Sequence, residues 1–240
     1  MRIDKLLANQ GYGSRKEVKQ LLKSGQVKLN NQIIKEAKYK VNPEEDSVVI
    51  DGEVVKYKEY VYYVMNKPSG VISATEDDKH KTVIDLLDKE DAVYQPFPVG
   101  RLDKDTEGLL IITNDGQLSH QLLSPKKHVP KTYYARINGQ VTESHIELFR
   151  KGIVLEDGYK AKPANLKIEK SGDVSSIFVT VTEGKFHQVK RMFEAINTKV
   201  IYLKRVQMGP LSLDSSLRLG EYRELSEEEV KRLQNADQTN

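Results

Sequence analysis

Cysteine is absent from all 240 residues. The chain therefore has no disulfide, no thiolate nucleophile and no zinc site of the cysteine type. The five histidines, His80, His120, His128, His145 and His187, show no spacing of the kind that turns two imidazoles toward one metal ion. That pattern predicts neither a metal centre nor a metal-dependent reaction. No apolar run approaches the roughly 18 to 20 residues that cross a bilayer, and the start Met1-Arg2-Ile3-Asp4 lacks the apolar core of a signal peptide. A cytoplasmic protein is expected. What is there is ordinary: 38% hydrophobic and 30% charged residues, in a length that suits one large domain or a small one followed by a larger one.

The net charge of +3 is small, but it is unevenly spread. Over residues 1–40, ten basic side chains (Arg2, Lys5, Arg15, Lys16, Lys19, Lys23, Lys28, Lys35, Lys38 and Lys40) face only Asp4, Glu17 and Glu36. Near the other end Glu221, Glu224, Glu227, Glu228 and Glu229 cluster. A basic N-terminal unit on a near-neutral body fits a polyanion partner, nucleic acid foremost, and equally fits a solvated surface.

Ile3, Leu6 and Leu7 lie at helical spacing, with Gly11 as a stop. Ser14 and Glu17 form a capping box for a second helix, whose stripe is Val18, Leu21 and Leu22 and whose opposite face carries Arg15, Lys16, Lys19 and Lys23. Gly25 ends that helix, and Val27, Leu29 and Ile33 begin short strands around the Asn30-Asn31 turn. Past the acidic turn at residues 42–47 the pattern changes, and a domain boundary is placed near residue 58.

Beyond it, Val61 to Met65 reads as a strand, followed by the turn Asn66-Lys67-Pro68-Ser69-Gly70, and Thr82 caps a brief helix. The charged stretch Gly100-Arg101-Leu102-Asp103-Lys104-Asp105-Thr106-Glu107-Gly108 opens onto Leu109 to Ile112, a short buried strand stopped by Asn114-Asp115-Gly116. Gln117 to Leu123 reads as a helix, Lys131 to Ile137 as an aromatic strand, and Thr142 opens a helix bearing Ile146 and Phe149. Ile153 to Leu155 and Ala164 to Ile168 read as short strands. Ile177, Val179 and Val181 alternate as a half-buried strand. Phe186 to Phe193 reads as a helix, Lys199 to Val206 as a strand and Ser226 to Leu233 as a final helix. Without a regular βαβ period, the fold class is α+β: a small N-terminal αβ module over 1–58, then a mixed, mostly antiparallel sheet with flanking helices over 59–240.

Three segments suggest chemistry: Asp103 in its loop, Tyr133 behind Lys131, and the run His187 to Arg191. Each has an ordinary alternative. A polar loop satisfies its own backbone, Tyr133 packs in a core, His187 is a structural hydrogen-bonder, and Lys190 pairs with Glu194 four residues on.

Taken together the segments carry a resemblance. Arg2-Ile3-Asp4-Lys5-Leu6-Leu7, Gly13-Ser14-Arg15 and Leu22-Lys23-Ser24-Gly25-Gln26-Val27 resemble the S4 RNA-binding fold. Asn66-Lys67-Pro68-Ser69-Gly70, Gly100-Arg101-Leu102-Asp103, Lys131-Thr132-Tyr133 and Gly184-Lys185-Phe186-His187-Gln188-Val189-Lys190-Arg191-Met192 follow the order seen in pseudouridine synthases. With Asp103-Lys104-Asp105-Thr106-Glu107-Gly108, Ser119-His120 and Ser124-Pro125, the chain is most similar to the ribosomal small subunit pseudouridine synthase A family, whose sister enzymes on 23S rRNA share most of these motifs. The resemblance implies isomerisation of one uridine of 16S rRNA, without a cofactor, on ribosomal RNA or a small-subunit assembly intermediate, by a monomer. Asp103 is then the catalytic carboxylate, and Lys190 is the basic partner that favours its ionised form in a water-poor pocket. Many relatives carry Arg at that position, and Lys gives up bidentate pairing. Tyr133 stacks on the flipped uracil, and Arg101 braces the space vacated in the RNA. Arg15, Lys16, Lys19 and Lys23 meet phosphates. In the charged loop, Gly100 and Gly108 are expected to allow sharp turns, with Asp105 and Thr106 holding it together. Two alternatives stand beside this: a non-catalytic RNA-binding assembly factor, and a glycosidase pairing Asp103 with Asp105 or Glu107, which leaves the basic module and the aromatic site unexplained.

Overall fold

A computed structural model describes residues 1–236. The described residues divide into two compact units, residues 1–61 with 87–96, and residues 62–86 with those from 97 onward.

The first unit contains helices α1 (Ile3–Asn9) and α2 (Arg15–Ser24), strands β1 (Val27–Leu29), β2 (Gln32–Ile33), β3 (Val48–Ile50) and β4 (Glu53–Val54), and the one-turn α3 (Lys89–Ala92). Its sheet runs β2-β1-β3-β4. The start of α2 is fixed locally: Ser14 accepts from the Glu17 amide while the Glu17 carboxylate accepts from the Ser14 amide at 2.7 Å. Gly25 closes the helix in the left-handed region, and Asn30 and Asn31 both take positive φ in the β1–β2 turn, as their side chains tolerate. Ile3, Leu6, Leu7, Val18, Leu22 and Val27 fill the core. That packing turns Arg15, Lys16, Lys19 and Lys23 out to solvent.

The second unit is built on a nine-stranded sheet. Its strands are β5 (Tyr62–Lys67), β6 (Phe97–Pro98), β7 (Glu107–Thr113), β8 (Lys131–Asn138), β9 (Asn165–Lys170), β10 (Val174–Val181), β11 (Lys199–Met208), β12 (Leu211–Ser212) and β13 (Tyr222–Glu224). The helices are α4 (Gly116–Leu123), α5 (Glu143–Lys151), α6 (Gln188–Glu194) and α7 (Glu227–Gln234). The main order is β13-β5-β7-β11-β8-β10-β9, with β12 on β11 and β6 on β7. Every pairing is antiparallel except β7 with β11, which is parallel through Glu107–Lys204 and Gly108–Arg205. The mostly antiparallel α+β class expected from the residues is the one observed.

Two cores flank this seam. On one side Ala135, Ile177, Val179 and Leu203 of the sheet pack against Phe149 of α5 and Met192 and Phe193 of α6. On the other, Leu109 and Ile111 pack with Leu118 and Leu122 of α4 and Leu233 of α7. Strand β7 is central, which is why its run from Gly108 to Thr113 is buried without alternation.

Some expected elements differ. Ile153–Leu155 contributes only an isolated bridge, Val154 to Lys160, because Gly152 takes φ 83° with its α-carbon packed against the Ala161 carbonyl, and the chain turns back at once. The helix after Thr82 is a single 3-10 turn, Ile84–Leu86, held by the Asp85 carboxylate accepting from the Thr82 amide at 2.7 Å. Strand β7 starts at Glu107, inside the charged stretch. Helix α6 starts at Gln188, two residues late, since His187 sits in the left-handed region at φ 49°.

Gly108 has φ 103°, and a β-carbon there would run into the Arg205 main chain. Backbone cannot yield as a flexible side chain does, so Gly108→Ala is expected to lower the unfolding free energy of this unit by at least about 2 kcal/mol, measured by denaturant titration.

Candidate active site

The approach to Asp103 is organised by main-chain acceptors around one ammonium. Lys67, at the end of β5, is fully buried. Its Nζ donates to the carbonyls of Pro68 (3.0 Å), Asp103 (3.1 Å) and Thr106 (2.9 Å). The Gly70 amide donates to the Lys104 carbonyl at 2.8 Å. Ser73 Oγ both accepts from the Leu102 amide at 3.0 Å and donates to the Leu102 carbonyl at 3.1 Å. The residue 67–73 segment is thus a cradle for the 102–106 loop, which closes on itself through the Thr106 amide and the Asp103 carbonyl at 3.1 Å. Burial pushes the Lys67 ammonium down to about 8, against the pull of Asp105, Asp103 and Glu107.

Asp105 and Thr106, expected to hold the loop, act through the Thr106 main chain, tied to Asp103 and Lys67, and through the Asp105–Lys190 pair. Thr106 is buried with no partner for its hydroxyl, and Asp105 reaches outward to Lys190. Lys67 adds a tie from behind, and its place in Asn66-Lys67-Pro68-Ser69-Gly70, between turn residues, gives no local sign of that role.

The facing wall comes from the segment between β10 and α6. Gln188 is buried; its Oε1 accepts from the Lys185 amide at 2.9 Å and its Nε2 donates to Glu183 at 2.6 Å. Glu183 also accepts from the Tyr159 hydroxyl at 2.7 Å and the Lys162 amide at 3.0 Å. Gln188 lies within the Gly184–Met192 motif, but its partners Glu183, Tyr159 and Lys162 carry no chemical signature of their own in sequence. It fixes a turn that aims His187 and Lys190 at the loop.

Lys190 Nζ lies 3.0 Å from Asp103 Oδ2 and 2.6 Å from Asp105 Oδ1, so it bridges the loop instead of pairing with Glu194. Burial disfavours its charge, yet the hydrogen bonds it donates to Asp105 and Asp103 prevail and raise its pKa. Burial likewise opposes ionisation of Asp105, but the Lys190 hydrogen bond and charge win and hold that carboxyl below the usual range. His187 Nε2 is 3.6 Å from Asp103 Oδ1, and its ring stacks at 3.8 Å on Phe186, which is 71% exposed.

Tyr133, half-buried on β8, completes the enclosure. Arg101, Asp103, Tyr133, Lys185 and His187 line a cleft of about 740 Å³, and Lys190 lines a second cavity that shares Arg101, Asp103, Tyr133, Lys185 and His187 with it. Four of the expected residues, Asp103, Tyr133, Lys190 and Arg101, are therefore brought together. Arg15, Lys16, Lys19 and Lys23 sit on α2 of the other unit. Among the described residues, no group of three histidines or carboxylates is placed to hold a metal ion. A carboxylate held by an ammonium, an aromatic ring and a cleft of this size suit attack on, or proton removal from, a planar ligand.

Residues 61–195 match the family model described as RNA pseudouridylate synthase, and residues 1–48 match the S4 domain. The uncharacterized RNA pseudouridine synthase YtzG of Bacillus subtilis is 53% identical over 231 residues, covering 96% of this chain and 97% of that protein. Ribosomal large subunit pseudouridine synthase B of B. subtilis is 40% identical, covering 97% of this chain and 95% of that protein. Ribosomal small subunit pseudouridine synthase A of Salmonella typhimurium is 38% identical, covering 96% and 98%.

Replacing Lys67 with Met removes its hydrogen bonds to the carbonyls of Pro68, Asp103, Lys104 and Thr106, and Lys67→Met is expected to destabilise this unit by about 2 kcal/mol at pH 7. The pH sign follows from its low native pKa. Between about 8 and 10.5 the unfolded chain keeps a proton that the native Lys67 has lost, so native stability rises with pH there. In parallel denaturation series the gap between wild type and Lys67→Met should be flat below pH 8 and widen above it.

Proposed function

The chain belongs to the RNA pseudouridylate synthase family, and we propose that it isomerises one uridine of 16S rRNA to pseudouridine, with Asp103 as the catalytic carboxylate. The observation that carries the site assignment is Asp103 held 3.0 Å from Lys190, beside Tyr133, in one cleft.

The reaction breaks the N1–C1′ bond of uridine, turns the uracil and rejoins it through C5. It changes no oxidation state, so it asks for no redox cofactor. A carboxylate can attack the sugar or take a proton beside the breaking bond, and Asp103 has that role here. Lys190 balances its charge and sets its direction. A base in a duplex or loop is reached only once it is out of the stack, which costs a few kcal/mol, and Tyr133 returns part of that by stacking on the extruded ring. Arg101, exposed at the cleft mouth, braces the RNA where the base has left.

Arg15, Lys16, Lys19 and Lys23 add phosphate contacts whose strength falls with salt, from a module that we place within residues 1–58. The preference for 16S rests on the motif run Asp103 to Gly108 with Ser119-His120 and Ser124-Pro125. A 23S target is the second reading, favoured by the 40% identity to a large subunit enzyme. The glycosidase alternative fits the side chains less well, because Glu107 accepts the Tyr202 hydroxyl at 2.7 Å and Asp105 is taken by Lys190.

Tritium release from [5-³H]uridine-labelled 16S and 23S rRNA, offered as transcripts and as subunit precursors, tests the activity. Release from 16S substrates alone is expected, and release from neither RNA would make the protein a binding factor. Asp103→Asn should retain RNA affinity while losing at least about 10⁴-fold in rate. Turnover surviving in that variant would remove Asp103 from its role.

A further inference from the structure

The floor of the cleft holds two cations that nothing in the mechanism above uses. Lys131 and Arg205 both line it, with 8% and 2% of their surface exposed. Arg205 lies directly across the β8–β11 ladder from Tyr133, and Lys131 is two residues from Tyr133 on the same strand face. Their hydrogen bonds go to main-chain carbonyls: Lys131 Nζ to Val129 at 2.9 Å, and Arg205 Nε to Leu109 at 2.8 Å. Arg205 Nη2 is buried with no partner. Among the described residues, neither side chain has a carboxylate within ion-pair distance.

Two buried cations that repel each other, one with an idle donor, are costly unless an anion arrives. Burial and then the neighbouring Arg205 push the Lys131 ammonium down to about 8, the direction expected of a positive site waiting for negative charge.

Building on the isomerase reading, we propose that Lys131 and Arg205 form an anion-receiving floor for the uracil carbonyl oxygens of the flipped nucleotide. When N1–C1′ breaks, its electron pair stays with the uracil and spreads onto O2 and O4. The pair is used when C5 bonds to C1′; the C5 proton then leaves to the medium, its electron pair restores the C5=C6 double bond, and N1 takes up a proton from the medium. Donors already fixed where that charge develops stabilise the detached base with no reorganisation. A ring stacked on Tyr133 presents a carbonyl edge to the side chains beside and across from Tyr133. A backbone phosphate would have to shed its water to reach so far down, and Arg101 and Lys185, both exposed on the cleft lining, offer it a less demanding contact.

The test uses the full chain with [5-³H]uridine-labelled 16S and 23S rRNA. Single-turnover tritium release at saturating enzyme should fall by about 100-fold or more in Lys131→Met and Arg205→Met. The Kd for the same RNA should stay within about threefold, and Arg205→Lys, which keeps the charge, should recover part of the rate. Lys131→Met gives up one main-chain hydrogen bond and serves on its own if Arg205→Met does not fold, with melting temperature as the check. A weakened Kd with a shallower salt dependence and an unchanged saturating rate would assign the cations to a phosphate and overturn the proposal. So would wild-type rate and affinity in a folded Lys131→Met. A wild-type protein that releases no tritium from either RNA defeats the isomerase reading and this proposal together, whereas an active wild type with unaffected variants defeats the floor alone.

Discussion

The site depends on a single buried ammonium. A loop that must expose a carboxylate cannot also be a regular strand, so its carbonyls need partners from elsewhere. Lys67 supplies them: one charged group, delivered at the end of β5, gathers the carbonyls of Pro68, Asp103 and Thr106 around it. A lysine suits this better than a neutral donor, because three protons on a flexible stem can meet three oxygens at once. The cost is a charge in the interior, visible in its pKa of about 8. Because the loop carbonyls are tied from behind, the Asp103 side chain is left pointing into the cleft toward Lys190.

Charge around the cleft is arranged in layers. Lys190 faces two carboxylates, so the Lys190–Asp103–Asp105 group is left with a single net negative charge. Lys67 lies behind the loop with carbonyl partners, and Lys131 and Arg205 lie on the floor with carbonyl partners only. The whole is therefore biased toward a negative ligand even though the chain as a whole carries only +3. That local excess, more than net charge, marks the cleft as a place for anionic chemistry.

Much of this was legible in the residues. Helix α2 announced itself through Ser14, Glu17 and Gly25, all local signals, and the structure returns the same capping box and left-handed stop. Alternation placed β10, and a short apolar run placed β7 as buried. What was not legible depends on distant partners. Nothing near Ile153 shows that Gly152 must pass the Ala161 carbonyl and cut the strand short. Nothing in Phe186-His187 shows that His187 will take a left-handed conformation and delay α6, since that turn is fixed by Gln188 bonding to Glu183. Asp103, Tyr133 and Lys190 stand out by residue type within their motifs, while Lys67, Gln188 and Arg205, which orient or surround them, look like ordinary polar residues until the sheet brings them together.

The one parallel pairing in the sheet has a consequence for how the protein is made. The β7–β11 join carries the Arg205–Leu109 hydrogen bond, which spans 96 residues of chain. The sides of the cleft are similarly remote, with 85 residues between Asp105 and Lys190. Antiparallel neighbours such as β8 and β10 can pair early, but long-range parallel contacts form late, because a large loop must close before they return any energy. On a ribosome the N-terminal basic module is complete long before β11 emerges. A nascent chain would thus hold an assembled S4 module while the candidate cleft is still open, and that cleft would be complete only as the last third of the sheet zips in.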